Sequence, residues 1–482
     1  MSNIFTTIKD FFTHSSETTP QVASQTKKPK SDVVVRVAPS PTGALHVGTA
    51  RTALVNYLFA KKNNGTFILR IEDTDKERSK PEHEATILEG LEWLNINWDN
   101  ETLYRQSERT AIYKLHLEKM IVDGTAYISK EEPKEEGSRS EVIRFKNPNK
   151  VITFADEIRG EITFDTTELG DFVIAKSLEE PLFHLTVVID DFEMHVTHII
   201  RGEDHISNTP RQILIQEAIG AKRPIYAHLP LLLGADKSKL SKRHGAKAVT
   251  EYRDAGYLSE ALVNYLALLG WNPGTDEEHF TISELCAIFD LQKAQKGGAV
   301  FSQEKLDWFN QYYIQKLPTE VRIAKITKQF TELSVPISSE IIAKIEPIIS
   351  ERIVTFNDIA TMNKEGEFTY YYEQPAYEYK TIHWKKAEHE HEAAIHLVQI
   401  QEKIMNSDDA LFNSIEEIKS IVWEYAELNG KGNVLWPLRY ALCGKEKSPD
   451  PFTLLYILGK QEALTRINNA LLFIQEHDKK SA

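Results

Sequence analysis

Cysteine is scarce in this chain of 482 residues, which contains only Cys286 and Cys443. The two are far apart in the sequence, and no pair of histidines lies close to either of them. Two isolated cysteines cannot build a disulfide framework, and they cannot supply the ligands of a cysteine-based zinc site. The sequence therefore excludes both of these ways of stabilising a fold.

Long apolar runs are missing as well. No stretch reaches the roughly 18 apolar residues that a membrane-spanning helix needs, and no positively charged segment precedes an apolar region and a cleavage site, as a signal peptide would require. The content of 41% hydrophobic and 10% aromatic residues is typical of a folded protein. We therefore expect a cytoplasmic protein that has no membrane partner and is long enough for several domains.

Positive charge is in short supply, since 57 Lys and Arg stand against 71 Asp and Glu, which gives a net charge of −14. This total disfavours a nucleic-acid partner, because affinity for phosphate backbones comes from Lys and Arg. A local basic stripe on an acidic protein stays compatible with it. Candidate contacts are the basic and aromatic stretches 304–316 and 431–439, although each is also typical of ordinary helix surface or core.

A strand, a tight turn and a helix start follow one another near the N-terminus. Residues 33–37 read VVVRV and predict a short buried parallel strand, which Pro39 and Pro41 end. A helix is predicted from about Val47 to a glycine stop at Gly65. Free N–H groups and the helix dipole at such a turn favour a phosphate. His46 and Thr42 add side-chain donors, although a lone histidine is more often structural.

A second segment, KSKLSKRHG at 237–245, collects Lys237, Lys239, Lys242 and Arg243 in one short stretch that also holds serines and a glycine. This composition suits a loop that binds a polyphosphate. By itself a basic run is usually a solvated surface. The combination with the first motif is what indicates a nucleotide site.

These two segments, APSPTGALHVG and KLSKRHG, resemble the HIGH and KMSKS signatures of class I aminoacyl-tRNA synthetases. The amino-acid sequence between and after them resembles one member of that class, the bacterial-type glutamyl-tRNA synthetases, and the similarity runs from about residue 32 onward. It is carried by FILRIEDTDKERS at 67–79, YRQSER at 104–109, THIIRGEDHISNTPRQ at 197–212, YLSEALVNYLALLGWNP at 257–273 and KGNVLWPLRYALCG at 431–444.

The resemblance implies roles for individual residues. It implies that glutamate's α-carboxylate attacks ATP, which binds with Mg²⁺, and that the resulting glutamyl-adenylate passes its acyl group to tRNA, which must be bound first. Catalysis is assigned to His46, Lys239 and Lys242. The ATP-binding residues are Thr42, His46, Gly48, Asp204, Lys239, Ser241 and Lys242. The glutamate-binding residues are Arg36, Ala38, Ser40, Glu72, Phe183, Val187 and Arg201.

The chemistry of the glutamate pocket follows from these residue types. A guanidinium such as that of Arg36 binds a carboxylate bidentately, and an acid such as Glu72 can hold the α-ammonium group. Structural alternatives stay open, since Glu72 and Asp73 could cap the following helix. Arg201 could equally pair with Glu203 or Asp204.

The chain departs from the family pattern at two places in this region. Phe183 stands where the family usually has tyrosine, so the ring is kept and one hydroxyl is lost, and the preceding LEEPL replaces an Asp-Gly-x-Pro-Thr pattern. Many relatives also carry a Cys-x-Cys zinc knob where this chain has Ile128 and Ser129. We therefore predict no structural zinc.

The predicted fold is α/β: a Rossmann-type parallel-sheet catalytic domain with an inserted acceptor-binding domain, then a helical stem-contact region and an all-α anticodon-binding region. We expect a monomer. The expected divisions are a flexible tail (1–31), the first catalytic half (32–112), the insertion (113–183), the second catalytic half (184–235), a stem-contact domain with the lysine loop (236–325) and the anticodon-binding domain (326–482).

Other functions are weighed against these residues. A glutaminyl-tRNA synthetase shares the sequence motifs of the catalytic domain, but its anticodon region is expected to be a β-barrel, whereas 326–482 has helical periodicity. A tRNA-modifying paralogue would lack this helical half. A non-catalytic tRNA-binding descendant would be expected to have lost the lysine loop. The sequence leaves open whether glutamine tRNA is also charged.

Overall fold

The structure is a computed structural model that describes residues 31–131, 141–240, 247–386 and 392–481. The predicted N-terminal tail lies almost entirely outside the described residues. Ser241 and Lys242 of the lysine loop also lie outside the described residues, so their roles stay predictions from the sequence.

Strands and helices alternate along the first part of the chain. In order they are β1 (Val34–Val37), α1 (Val47–Lys62), β2 (Thr66–Ile71), α2 (Pro81–Trp93), β3 (Tyr104–Arg105) and α3 (Thr110–Val122). The three strands are parallel, and Val34 of β1 lies opposite Thr66 of β2. Alternation of this kind is what a parallel sheet with crossover helices requires.

An antiparallel insertion follows. Its strands are β4 (Ala126–Lys130), β5 (Glu141–Phe145), β6 (Val151–Asp156), β7 (Gly160–Asp165), β8 (Phe172–Ser177) and β9 (Glu180–Pro181). Strands β4, β5, β8 and β9 form one sheet, and β6 and β7 form a hairpin outside it. The chain turns at Gly160 and Gly170, where φ is 85° and 55°, values that favour glycine.

The parallel sheet then resumes. Its second half contains α4 (Phe183–Glu193), β10 (His198–Gly202), α5 (Thr209–Ala218) and β11 (Ile225–Leu229). The short strand β12 (Leu232–Leu233) follows and belongs to a separate two-stranded sheet. Strand β10 lies beside β1, because the N–H of Thr197 donates to Val34 O at 2.9 Å and the N–H of Val34 donates to Thr197 Oγ1 at 2.9 Å. At the other side of β11, Tyr226 pairs with Asp156 of β6, so the inserted hairpin joins the sheet edge.

Helices dominate the rest of the chain. They are α6 (Val249–Asp254), α7 (Ser259–Leu268), α8 (Ile282–Ile288), α9 (Gln303–Lys316), α10 (Thr319–Glu332), α11 (Ser339–Arg352), α12 (Asp358–Lys364), α13 (Tyr379–Ile382), α14 (Glu392–Met405), α15 (Ile415–Leu428), α16 (Lys431–Cys443) and α17 (Pro451–Ser481). One short strand, β13 (Ala299–Val300), lies between α8 and α9. Every regular element in 301–386 and 392–481 is helical. The predicted order of an α/β catalytic part and a helical C-terminal part is confirmed.

Helix α1 begins at Val47 as predicted but ends at Lys62, before the glycine stop expected at Gly65. The reversal is made by Asn64, whose φ is 52°, a left-handed conformation that asparagine tolerates. Gly65 is needed for another reason. A Cβ there would lie 2.5 Å from Val33 O, so only glycine lets the chain pass this close to β1.

The hydrophobic core forms two clusters. The larger one lies around the parallel sheet and continues into the C-terminal helices, and the smaller one fills the space between α3, α4, α5 and the inserted strands. In the described part of the chain, no helix combines the length and the apolar character that crossing a membrane would take.

Candidate active site

A cavity of about 330 Å³ opens at the carboxyl ends of β1 and β10, where the two halves of the sheet meet. Ligands of open α/β sheets bind at this kind of switch point. The cavity brings together most of the residues that the sequence assigned to substrates: Arg36, Ala38, Ser40, His46, Gly48, Glu72, Phe183, Val187, Arg201, Asp204 and Lys239. Thr42 is exposed and does not line it.

His46 caps the first turn of α1. Its Nδ1 accepts from the backbone N–H of Gly48 at 3.0 Å, and Thr49 Oγ1 lies 3.4 Å from Nε2. A Cβ on Gly48 would lie 2.7 Å from the Cε1 atom of His46, so the histidine can fold over the helix start only because residue 48 is glycine. His46 is exposed here, next to helix N–H groups that suit an anion.

Lys239 approaches the same cavity from the far side. Its Nζ lies 2.8 Å from Oδ2 of Asp204, and both side chains are partly exposed. Burial alone would raise the pKa of Asp204, but the hydrogen bond from Lys239 and the positive charge nearby together hold this pKa below its ordinary value. Two residues that the sequence assigned to ATP are thus in direct contact.

A buried network of charges forms the floor of the cavity. Oδ1 of Asp191 is shared by Arg36 Nε at 3.1 Å and Arg70 Nη1 at 2.8 Å. Arg70 Nη2 also binds Glu72 Oε1 at 3.0 Å. The guanidinium groups that neutralise Asp191 hold its pKa below its ordinary value, although burial acts in the opposite direction. Arg36 is therefore already paired with an acid of the chain itself.

This network decides the alternatives left open for the acidic residues. Glu72 pairs with Arg70 and does not cap a helix, and burial raises its pKa even though Arg70 opposes this. Asp73 accepts from the backbone N–H of Ser107 at 2.8 Å, so it fixes a neighbouring loop.

Arg201 differs from Arg36 in its surroundings. It pairs with neither Glu203 nor Asp204. Its hydrogen bonds to described residues go to uncharged groups: His228 Nε2 at 3.2 Å, Thr209 Oγ1 at 2.8 Å and His205 O at 3.5 Å. Burial, followed by the charge of Arg36, lowers the pKa of Arg201 to about 10. Arg201 thus stays charged at neutral pH and has no carboxylate partner among the described residues.

Phe183 and Val187 form an apolar side of the cavity, both on helix α4. The ring centroid of Phe183 lies 6.0 Å from that of His205. Burial, followed by the charge of Arg201, lowers the pKa of His205 to about 4, so this ring is neutral at physiological pH. Phe183, Val187 and the neutral ring of His205 therefore bring no charge to the cavity.

Several residues in and around the cavity were not predicted from the sequence. Asp190 and Asp191 stand next to each other in the otherwise apolar run LTVVIDDF, and two acids in a buried helix were a usable signal. Arg51 gave no such signal. It lines the cavity from α1, donates to Pro230 O at 2.7 Å, and burial lowers its pKa to about 10. His228 was missed as well, because a single histidine in a strand has no local signature.

No group of three or more His, Cys, Asp or Glu side chains suited to a metal ion occurs among the described residues. The absence of structural zinc stays a prediction from sequence. In the region of the expected zinc knob, Ile128 lies in β4 and is 56% exposed, an unusual place for a large apolar side chain.

Comparison with known proteins agrees with this geometry. Residues 32–141 and 128–308 match the family described as tRNA synthetases class I (E and Q), catalytic domain, and residues 322–471 match the anticodon binding domain family. The fold and the site therefore place the chain among the class I aminoacyl-tRNA synthetases for glutamate and glutamine.

Individual relatives narrow this class. The chain is 40% identical to a glutamate–tRNA ligase of Carboxydothermus hydrogenoformans, over 91% of this chain and 99% of the relative. A crystal structure of a glutamate tRNA ligase from Elizabethkingia meningosepticum in complex with its amino acid superposes with a TM-score of 0.82, at 35% identity over 92% of this chain and 100% of the other. Glutamate-tRNA synthetase from Elizabethkingia anophelis gives a TM-score of 0.80, at 35% identity over 91% of this chain and 99% of the other. The chain belongs to the glutamate–tRNA ligase family.

Proposed function

We propose that the cavity at the carboxyl ends of β1 and β10 is the place where this chain activates glutamate with ATP. The activity itself follows from the family: the chain is an aminoacyl-tRNA synthetase that ligates glutamate to tRNA, and ATP is its second substrate. What we add is the role of each residue in the cavity.

The observation that carries the assignment is the charge on Arg201. A buried guanidinium that has no acidic partner is costly, and a bidentate carboxylate removes most of that cost. Arg36 lies nearby but is already neutralised by Asp191. The side-chain carboxylate of glutamate therefore completes the pocket at Arg201, with Arg36 as its second contact. Glutamine would offer an uncharged amide and leave Arg201 without a counter-charge.

The other predicted residues surround this point. Glu72 supplies a negative charge for the α-ammonium group, and Ala38, Ser40, Phe183 and Val187 shape the walls. On the ATP side, His46 and the N–H groups of the first turn of α1 bind phosphate oxygens, and Gly48 leaves room for this approach. Lys239, Asp204, Ser241 and Lys242 belong to the same side, as does Thr42 at its outer margin.

The reaction has two steps. An oxygen of glutamate's α-carboxylate attacks the α-phosphorus of ATP, which enters with Mg²⁺ as its substrate complex, and the bond to the β-phosphate oxygen breaks so that pyrophosphate leaves. The terminal ribose hydroxyl of tRNA then attacks the acyl carbon, loses its proton and releases AMP. No covalent bond to the protein is formed, so positioning and charge stabilisation supply the rate. Lys239 and Lys242 stabilise the charge that develops on pyrophosphate.

We also propose the division of labour along the chain that the sequence suggested. The inserted sheet binds the acceptor arm of tRNA, 236–325 contacts the stem and the C-terminal helices bind the anticodon. The divisions at 112, 183 and 325 are best moved to helix ends, because α3, α4 and α10 span or begin at them. We further propose that the chain works as a cytoplasmic monomer without a membrane partner.

Arg201→Gln tests the glutamate pocket. Removing this charge is expected to raise the KM for glutamate by at least about a hundredfold, the loss typical of a truncated buried charge contact. The KM for ATP stays near its original value. Arg223→Gln is the matched control, because Arg223 is exposed and lies just before the amino end of β11, away from the cavity. An unchanged glutamate KM in Arg201→Gln would refute the assignment.

A further inference from the structure

Three buried side chains form a line from the inserted hairpin into the cavity. Oδ2 of Asp156, at the end of β6, lies 2.6 Å from Nδ1 of His228 on β11. Nε2 of the same histidine lies 3.2 Å from Nε of Arg201 on β10. Their exposed fractions are only 4%, 0% and 6%. None of the roles given above to the site uses Asp156 or His228.

The chemistry of the two neighbours fixes the protonation of His228. An ionised carboxylate only accepts hydrogen bonds, so Nδ1 must carry a hydrogen and donate it to Asp156. A guanidinium only donates, so Nε2 must keep its lone pair and accept from Arg201. The neutral imidazole with its hydrogen on Nδ1 satisfies both contacts at once. Burial agrees with this state, because it lowers the pKa of His228 below its ordinary value.

The backbone fixes the orientation of Asp156. Its Oδ1 accepts from the N–H groups of Ile158 at 3.0 Å, Arg159 at 2.8 Å and His228 at 3.3 Å. Only Oδ2 is therefore left for the imidazole. The turn of the β6–β7 hairpin thus holds the carboxylate, the carboxylate holds the imidazole, and the imidazole faces the guanidinium.

Arg201 is held from two directions. Its Nε is engaged by His228 and its Nη2 by Thr209, whereas no hydrogen bond to a described residue uses Nη1. We propose that Asp156 and His228 are positioning residues that orient the guanidinium of Arg201 for the carboxylate of bound glutamate. The proposal rests on the role of Arg201 in glutamate binding that is proposed above.

The variant Asp156→Asn tests the proposal while keeping the shape of the side chain. The backbone N–H groups retain the amide oxygen at the Oδ1 position, so the amide N–H₂ faces Nδ1 of His228. The imidazole must then accept at Nδ1 and carry its hydrogen on Nε2, where it meets the N–H of Arg201. A donor opposite a donor turns the guanidinium away. We expect the KM for glutamate to rise about tenfold to a hundredfold, the effect of losing a hydrogen bond to a charged group.

A conservative variant of the histidine supplies a rescue. In His228→Gln, one amide offers N–H₂ to Asp156 and its oxygen to Arg201, so the donor and acceptor pattern is restored and the glutamate KM stays within about threefold of its original value. His228→Leu fills similar space without hydrogen bonds and is expected to behave like Asp156→Asn. In all three variants the KM for ATP changes little. Asp165→Asn, an exposed acid at the other end of the same hairpin, is the control.

The outcomes separate the two proposals. If Arg201→Gln raises the glutamate KM but Asp156→Asn and His228→Leu leave it unchanged, the positioning role is overturned and the glutamate pocket stands. If Arg201→Gln itself leaves the glutamate KM unchanged, the pocket assignment fails. If Asp156→Asn does not fold, the comparison of His228→Gln with His228→Leu decides, and equal glutamate KM values for these two variants overturn the proposal.

Discussion

Nε of Arg36 lies 3.1 Å from Oδ1 of Asp191, and each of these side chains is only 5% exposed. The same oxygen lies 2.8 Å from Nη1 of Arg70. One carboxylate therefore compensates two buried guanidinium groups beneath the glutamate pocket. A buried charge is costly unless it is paired and hydrogen-bonded in this way.

Asp191→Asn is expected to destabilise the protein by about 3–5 kcal/mol, because it leaves two guanidinium groups buried without their shared counter-charge. The measurement is the urea midpoint of the loss of helical circular dichroism. Asp123→Asn, at an exposed position after α3, is the control and should match the unchanged protein. Equal midpoints for Asp191→Asn and the control would contradict this role.

Phe183→Tyr restores the hydroxyl that related enzymes usually carry at this wall of the cavity. A single neutral hydrogen bond to the bound amino acid would lower the KM for glutamate by about twofold to tenfold. Steady-state kinetics at saturating ATP and tRNA measures this. An unchanged glutamate KM would show that position 183 serves packing alone.

Lys239→Ala and Lys242→Ala are each expected to slow formation of the adenylate by at least about a hundredfold, since each removes a charge that stabilises the departing pyrophosphate. Binding of tRNA should stay nearly unchanged. Rapid-quench measurement of the adenylate tests the first effect, and a filter-binding titration tests the second. Lys222→Ala is the control, because Lys222 is exposed before the amino end of β11, away from the cavity. Normal adenylate formation in both variants would refute the role of the loop.

The lowered pKa of His184 predicts a dependence of the free energy of unfolding on pH. Burial, followed by the charges of Arg211 and Arg201, lowers its pKa from 6.5 to about 4. As pH falls below about 6.5, the unfolded chain gains a proton here that the folded chain does not take up. This residue therefore lowers the free energy of unfolding by about 1.4 kcal/mol per pH unit until pH reaches about 4.

His184→Phe removes that contribution. The Nδ1 atom of His184 is buried and has no hydrogen-bond partner among the described residues, so an apolar ring should cost little at neutral pH. Urea unfolding at about pH 7.5 and about pH 5 measures the free energy of unfolding at each pH. Between these values the variant should lose less of it than the unchanged protein, by the contribution of one titrating group. The same pH slope in both proteins would contradict this pKa.

Local sequence predicted the strand, turn and helix around His46, because the prolines, the glycines and the apolar spacing that specify them are contiguous. Most of the residues that the sequence assigned to substrates line the cavity, since the family motifs are contiguous too. Local sequence could not predict the pairing of Arg36 with Asp191, which are 155 residues apart, or of Asp156 with His228, which are 72 apart. The first contact is set by the packing of α4 against the sheet and the second by the order of strands, and no periodicity along the chain encodes either.

We expect this cavity to activate glutamate and to reject glutamine. The most direct test is pyrophosphate exchange into ATP, measured with either amino acid and with or without tRNA. We predict exchange with glutamate only when tRNA is present, and none above background with glutamine. If glutamine supports exchange as well as glutamate does, or if glutamate and tRNA together support none, the cavity does not have this specificity.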